Sequence, residues 1–359
     1  MPQPVRYSPD VEDVKPDEAD TIKQLEEQFN HIQQTTADDY KRGVRAVHAK
    51  AHAIAKGTLT VKQGLPPELA QGNFAQSGSY EVILRISTNA GDILDDSISL
   101  PRGLALKVIG VDGERLPGSE GDTTQDFILV NGPVFSAPDS GAFLKNLKLL
   151  SKTTDKAEGA KMALSAVLQG VNAALSMVGY ESPTVQQMGG APQVHPLGDT
   201  YYSQTPYRYG DHIAKVGLFP VSTALTALTK TTIDVAGRPD ALREDVNRDM
   251  IEAGGTWELR VQLCTDLNDM PIEDPTVQWD ETTSPFITVA TLDVPPQLSW
   301  QHGVSDRLDN ALSFNIWHGV TAHRPLGNIN RARNETYKQS TAFRRSEERR
   351  VGKRVCSTV

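Results

Sequence analysis

Two groups of short β-prone segments, separated by a stretch of helix formers, constrain this 359-residue chain more than any other feature. In the first group Thr58 to Lys62 is β-prone, and Tyr80, Val82, Leu84 and Ile86 alternate on one face of a strand ending at Ser87. Leu104 to Val111 and Phe127 to Val130 follow, set apart by Gly, Asp and Pro turn clusters. The second group comprises Tyr201 to Tyr209, Ile213 to Val221, Trp257 to Cys264 and Phe286 to Asp293. Between the groups, Ala142 to Val178 is rich in helix formers.

Three more helices are expected. Ile22, Leu25, Phe29 and Ile32 recur at helical spacing after a polar, proline-bearing arm that ends near Pro16. Pro239 to Ala253 carries the stripe Leu242, Val246, Met250, and Gly254-Gly255 stops it. Gly327 to Arg344 is helical again. About eight strands with helices before, between and after predict an α+β chain, an eight-stranded antiparallel β-barrel with flanking and inserted helices. The expected organisation is an N-terminal arm and helix over 1–40, a barrel domain over 41–344, and a charged tail over 345–359. That tail, Arg345-Ser346-Glu347-Glu348-Arg349-Arg350-Val351-Gly352-Lys353, has no apolar stripe. It resembles the translation of a sequencing-adapter read and is taken as non-native or disordered, so no function is placed on it.

Composition narrows the function classes. A net charge of −9 argues against nucleic-acid binding. Two cysteines, Cys264 and Cys356, give neither a disulfide framework nor a Cys-type zinc site, and a reducing compartment fits. The first residues show no signal peptide, and Ala163 to Tyr180 is too polar for a membrane span and reads as a buried helix. A cytoplasmic protein without stable membrane insertion is expected.

The chemistry concentrates in a few segments. Arg333, Tyr337 and Arg344 fall within roughly 40° of one another on a helix surface, because their spacings of four and seven nearly complete whole turns. An arginine one turn from a tyrosine favours the phenolate, and a phenolate is an axial ligand available to haem iron. A further arginine on that face suits a carboxylate such as a propionate. Taken alone, Arg and Tyr four apart on a solvated helix is unremarkable. In the N-terminal half, His48 can take a proton from a peroxide oxygen and return it to the leaving oxygen. His52 stands four residues on, but no glutamate adjoins His48 and no third ligand is nearby, so a zinc-protease pattern fails. Strand alternation puts Arg85 and Ser87 on one sheet face, where a carboxylate contact and a hydroxyl contact share a wall.

In chain order, Arg45-x-x-His48-Ala49-Lys50, Arg85-Ile86-Ser87-Thr88-x-Ala90-Gly91, Pro101-Arg102-Gly103-x-Ala105-x-Lys107 and Arg333-x-x-x-Tyr337 resemble the haem-binding skeleton of catalases. The resemblance covers about Arg45 to Arg344. It implies a catalase-like barrel with haem b buried between barrel and helices. It implies His48 as the distal catalytic residue with Ser87 beside it, and Tyr337 as the iron ligand with Arg333 bonded to its phenolate. Arg45, Arg85 and Arg344 match the positions that hold propionates. Two departures stand out. The asparagine that catalases use above the iron has no counterpart in Thr123-Thr124-Gln125-Asp126-Phe127, where Thr124 or Gln125 is the expected substitute, with a hydroxyl or an amide, and Asn131 falls too late. Asn89 stands where catalases carry an apolar valine.

The ending from Trp317 to Arg333 is similar to that of a smaller branch of catalase-related haem peroxidases, whose haem arrangement coral allene oxide synthase shares. His318 and His323, in that ending, are expected to be structural. The implied function is a haem peroxidase acting on hydrogen peroxide or organic hydroperoxides with a small organic electron donor, with weak catalase activity beside it. A fatty-acid hydroperoxide isomerase or lyase, a non-catalytic haem-binding protein and a haem-free lipid-binding barrel remain open, as does a homo-oligomer.

Overall fold

The structure, a computed structural model, describes residues 2–151, 165 and 190–356, with side chains of 149–151 and of residues after 346 outside the description. The helix read from Ala163 to Tyr180 therefore lies outside the described residues, Ser165 excepted. Nine strands form one sheet: β1 (Ala51–Val61), β2 (Ser79–Thr88), β3 (Arg102–Ile109), β4 (Thr124–Val130), β5 (Tyr201–Tyr202), β6 (Tyr207–Tyr209), β7 (His212–Pro220), β8 (Gly255–Leu263) and β9 (Ile287–Val294). All pairings are antiparallel. β5 spans only two residues yet bonds both β4 and β7, and β9 joins β1 to β8, so eight strands close a ring with β6 flanking β7. Closure runs through a narrow bridge, Val130 of β4 opposite Tyr202 of β5 and Tyr201 and Tyr202 opposite Leu218 and Gly217 of β7.

Alternation decides which face is which. Val82, Leu84 and Ile86 of β2 point into the barrel and pack with Leu104, Leu106 and Val108 of β3, Phe127 and Leu129 of β4 and Val216 and Leu218 of β7. The intervening residues Arg85, Ser87, Gly103, Ala105 and Ile128 point outward, and the register sets Ser87 opposite Gly103, Arg85 opposite Ala105 and Ala105 opposite Ile128. Strand β1 begins at Ala51, seven residues before the first β-prone position read from the sequence, because Ala51, Ala53 and Ala55 are small residues that pack against the wall without a strong hydrophobic signal.

Six α-helices are described: α1 (Glu18–Tyr40), α2 (Ser140–Ser151), a single turn α3 (Thr223–Thr226), α4 (Ala241–Glu252), α5 (Val304–Ala311) and α6 (Asn328–Cys356). The stripe Leu25, Phe29, Ile32 of α1 packs on Leu144 and Leu147 of α2, Ala332 of α6 and Ala46, making a second core outside the barrel. Lys41 in the left-handed region ends α1 and turns the chain back toward β1. The start of α6 is pinned by Arg331, whose guanidinium meets Glu12 at 2.6 Å, Glu18 at 2.6 Å and Glu273 at 3.0 Å. The backbone of α6 is helical into the charged segment after residue 344. No helix among the described residues is long and apolar enough to cross a membrane.

Candidate active site

A cavity of about 670 Å³, counting its open mouth, lies between the outer face of β2, β3 and β4 and the inner face of α6. The barrel supplies Arg85, Ser87, Gly103, Ala105 and Ile128; the loop before β1 supplies Arg45 to His48; α6 supplies Thr336, Tyr337, Ser340, Thr341 and Arg344. Phe29 of α1 and Phe314 complete its lining. Most of its lining is apolar around a few polar groups, as small-molecule sites require.

His48 is fixed from both sides of its backbone. Its N–H donates to the Asn89 carbonyl at 3.1 Å and its own carbonyl accepts from Arg85 Nη2 at 2.9 Å. The residue sits at φ 54°, in the left-handed region that few non-glycine residues occupy. Ser87 Oγ lies 3.1 Å from Nδ1. When the ring donates there, its Nε2 carries the lone pair. Gly103 makes the room: a Cβ on it would stand 2.4 Å from His48 Cε1. Gly91 lies equally tight against the loop, where a Cβ would meet the Ala46 carbonyl oxygen at 2.1 Å. Both glycines belong to the motifs read from the sequence, and each is required by a close approach. Burial first, and then the guanidiniums of Arg85, Arg333 and Arg45, push the imidazole down to about 3, so it is neutral at physiological pH.

Tyr337 faces the same cavity from α6, and its phenol takes no hydrogen bond among the described residues. Arg45, Arg85 and Arg344 converge at one edge. Arg85 grips the Asp309 carboxylate with Nε at 2.6 Å and Nη2 at 3.2 Å. Arg45 Nη1 meets the same carboxylate at 2.9 Å, and its Nη2 donates to the carbonyls of Asp309 and Leu312. Arg344 donates to the Asn310 carbonyl at 2.9 Å. The two cations hold the Asp309 carboxyl far below the usual carboxylate range against its burial. Nothing in the sequence pattern singled out Asp309; α5 is short, and its apolar Val304 and Leu308 are exposed and do not mark it.

Two expectations need correction. Thr124, assigned to the catalytic set, begins β4 and does not line the cavity; the residue of β4 that does is Ile128. Four residues of strand separate them, ~13 Å at the usual rise. Thr124 instead uses its carbonyl to accept from Arg115. Asn131 is also occupied elsewhere, accepting from the Arg102 amide and donating to Asp199. Arg333, expected to bond the Tyr337 phenol, does not line the cavity; it donates to Thr205 Oγ1 at 3.3 Å and Asn330 Oδ1 at 3.2 Å and lies over the Phe135 ring. The other motif cations serve the frame: Lys50 pairs with Asp96 and Asp240, and Lys107 with Asp126.

The remaining histidines stand apart from the cavity. His52 bonds Thr88 Oγ1 at 2.7 Å, and His323 accepts from the Asn73 amide at 3.0 Å among Phe74, Phe127 and Tyr209. His318 lies 3.5 Å from Asp126. No group of three or more His, Cys, Asp or Glu side chains among the described residues is arranged to hold a metal ion. Cys264 is buried and its thiol is pushed up to about 12, which leaves it unreactive.

No protein-family model matches the chain, and no curated protein matches it in sequence. Solved structures do match in fold. A fungal catalase superimposes with a TM-score of 0.59 at 18% identity, covering 88% of this chain and 62% of that one. Catalase A from Saccharomyces cerevisiae gives a TM-score of 0.58 at 17% identity, covering 96% of this chain and 67% of that one. The chain thus spans less than two thirds of the fungal catalase. The fold is catalase-like: an α+β chain built on a closed eight-stranded antiparallel barrel with flanking helices.

Proposed function

We propose that the chain is a haem-dependent peroxidase that reduces hydrogen peroxide or organic hydroperoxides, with haem b held in the cavity between the barrel wall and α6. One observation carries this reading: a free phenol and a neutral imidazole look into one cavity from opposite elements, with three guanidiniums at its edge. That donor set fits haem. Tyr337 Oη offers the anionic oxygen ligand, Arg45, Arg85 and Arg344 offer partners for propionates, and Phe29, Ala105, Ile128 and Phe314 offer apolar contacts for the ring. Haem iron, when bound, supplies the redox chemistry of peroxide cleavage.

The chain's own part is proton handling. Neutral His48 takes the proton of the bound peroxide at its free ring nitrogen and delivers it to the departing oxygen, a general acid–base role its low proton affinity keeps available across physiological pH. Ser87 orients the ring through Nδ1, and Gly103 leaves it space. The apolar lining supports organic hydroperoxides as substrates beside hydrogen peroxide, with a small organic molecule as electron donor. With no side-chain amide among the described residues that line the cavity, high catalase turnover is not expected. The smaller catalase-related branch, the one sharing its haem arrangement with coral allene oxide synthase, is the placement proposed within the fold.

The test is the visible absorption spectrum of protein expressed with a haem supply, wild type beside Tyr337→Phe. The expected result is a Soret band with a high-spin ferric pattern that changes in the variant. Absence of a Soret band in the wild type would sink the haem reading.

A further inference from the structure

We propose that Asp309 is the positioning residue for His48, acting through Arg85; this rests on the reading of the cavity as a haem peroxidase site. The contacts form one chain. Arg85 Nη2, the nitrogen that reaches Asp309 Oδ2 at 3.2 Å, also donates to the His48 carbonyl at 2.9 Å. The second grip, Nε on Oδ1 at 2.6 Å, fixes the plane of the guanidinium, so that Nη2 has one direction to point. His48 needs such a hold. A non-glycine residue at φ 54° persists only where its surroundings over-determine it, and here the amide is held by Asn89 and the carbonyl by Arg85.

The place of Asp309 in the fold explains why it can do this. It lies near the C-terminal end of α5, where the last carbonyls of a helix lack intrahelical donors and the helix dipole is negative. The carbonyls of Asp309, Asn310 and Leu312 accept from Arg45 and Arg344. The end of α5 with the Asp309 carboxylate is therefore a cage for three guanidiniums that repel one another. All three line the cavity, while Asp309 itself does not. Without the carboxylate, Arg85 has no reason to keep its plane. The His48 carbonyl then loses its donor, and the imidazole loses its place over Gly103.

The experiment uses the full-length protein purified with haem, as wild type, Asp309→Asn, Asp309→Glu and Arg85→Lys. Two quantities are measured: the rate of reaction with hydrogen peroxide per bound haem, and amide hydrogen exchange at His48 and Ala49. Asp309→Asn is expected to slow the peroxide step about tenfold to a hundredfold, the usual cost of misplacing a reacting group, with the Soret position unchanged. Exchange at His48 and Ala49 is expected to rise in the same variant, and Asp309→Glu is expected to recover part of both. A wild-type rate per haem, or a slowed rate with unchanged exchange at His48 and Ala49, overturns the proposal. Should Asp309→Asn fail to fold, Arg85→Lys keeps the charge and loses the second contact, and the same two readouts decide. A wild type that takes up no haem sinks the haem reading alone, and the exchange comparison on that protein then decides the positioning role.

Discussion

His323 and His48 are both imidazoles pushed down to about 3, and in both the first cause is burial. The surroundings differ. His323 sits in the barrel interior, where Phe74, Phe127 and Tyr209 surround its ring and the Asn73 amide occupies Nε2. His48 sits outside the barrel wall, where only Nδ1 is engaged by Ser87 and the ring borders open space shared with Tyr337. A shifted pKa marks both and distinguishes neither. What separates a packed histidine from a working one here is the unfilled volume beside the ring and a second functional group across it.

The largest effect expected from this comparison is on rate. His48→Ala should cut the peroxide reaction of the haem-loaded protein by about a hundredfold to ten-thousandfold, the range for losing a general acid–base group. Its melting temperature should shift little. His323→Ala should do the reverse, with a loss of about 2–4 kcal/mol from a fully buried, bonded ring and a near-normal rate per folded, haem-bearing molecule. Stopped-flow rates and thermal melts on both variants check the pair. A His323→Ala protein with the His48→Ala rate defect would break the distinction.

A smaller effect, on pH dependence, treats the two residues alike. Each has a folded pKa of about 3 against an ordinary value of 6.5, so between those limits the unfolded chain takes up a proton that the folded chain refuses. Stability contributed this way is complete above about pH 6.5 and is lost as pH falls toward 3, by up to about 1.4 kcal/mol per pH unit for each histidine. Asp199, raised to about 6, works against this trend, because the folded chain takes up its proton first. Melting temperature is therefore expected to fall on acidification below pH 6.5, and either alanine variant should flatten the slope. Peroxide reactivity, limited by neutral His48, should stay level down to about pH 4 while the protein remains folded. A rate that falls with an apparent pKa near 6.5 would show that the cavity does not hold His48 neutral.

How much of the fold and site is legible in the sequence follows from what each element needs. Strands with full alternation, such as β2, announce both their faces, so the outward pair Arg85 and Ser87 is readable from the alternation alone. The ring closure is not. It runs through β5, two residues long, which no periodicity can mark. Helix α5 escapes for a related reason: Ser305-Asp306-Arg307-Leu308-Asp309-Asn310 reads as a polar loop, and its value lies in carbonyls and one carboxylate that three distant arginines come to meet. The face of α6 is legible as an angle, and Tyr337 and Arg344 do look into the cavity. Arg333 shares the angle but starts a turn earlier, beside Thr205 and Asn330, and those neighbours claim its donors.

The smallest expected effect concerns Thr124, and it tests where the distal wall ends. Chain order alone puts this residue above the proposed haem, by the resemblance of its stretch to the one in which catalases carry their asparagine. Register is what order cannot supply. Thr124 pairs with Ile109 at the far end of β3, whereas the cavity lies at the end marked by Gly103 and Ala105. Its side chain makes no hydrogen bond among the described residues, and its carbonyl, which a substitution leaves in place, carries the contact to Arg115. Thr124→Val is therefore expected to change stability within about 0.5 kcal/mol, as for a surface site away from special features, and to leave the peroxide rate and the Soret band as they are. A rate loss comparable to that of His48→Ala would mean that the β4 register in the working protein differs by several residues, and that the wall now formed by Ile128 is assembled differently when haem is bound.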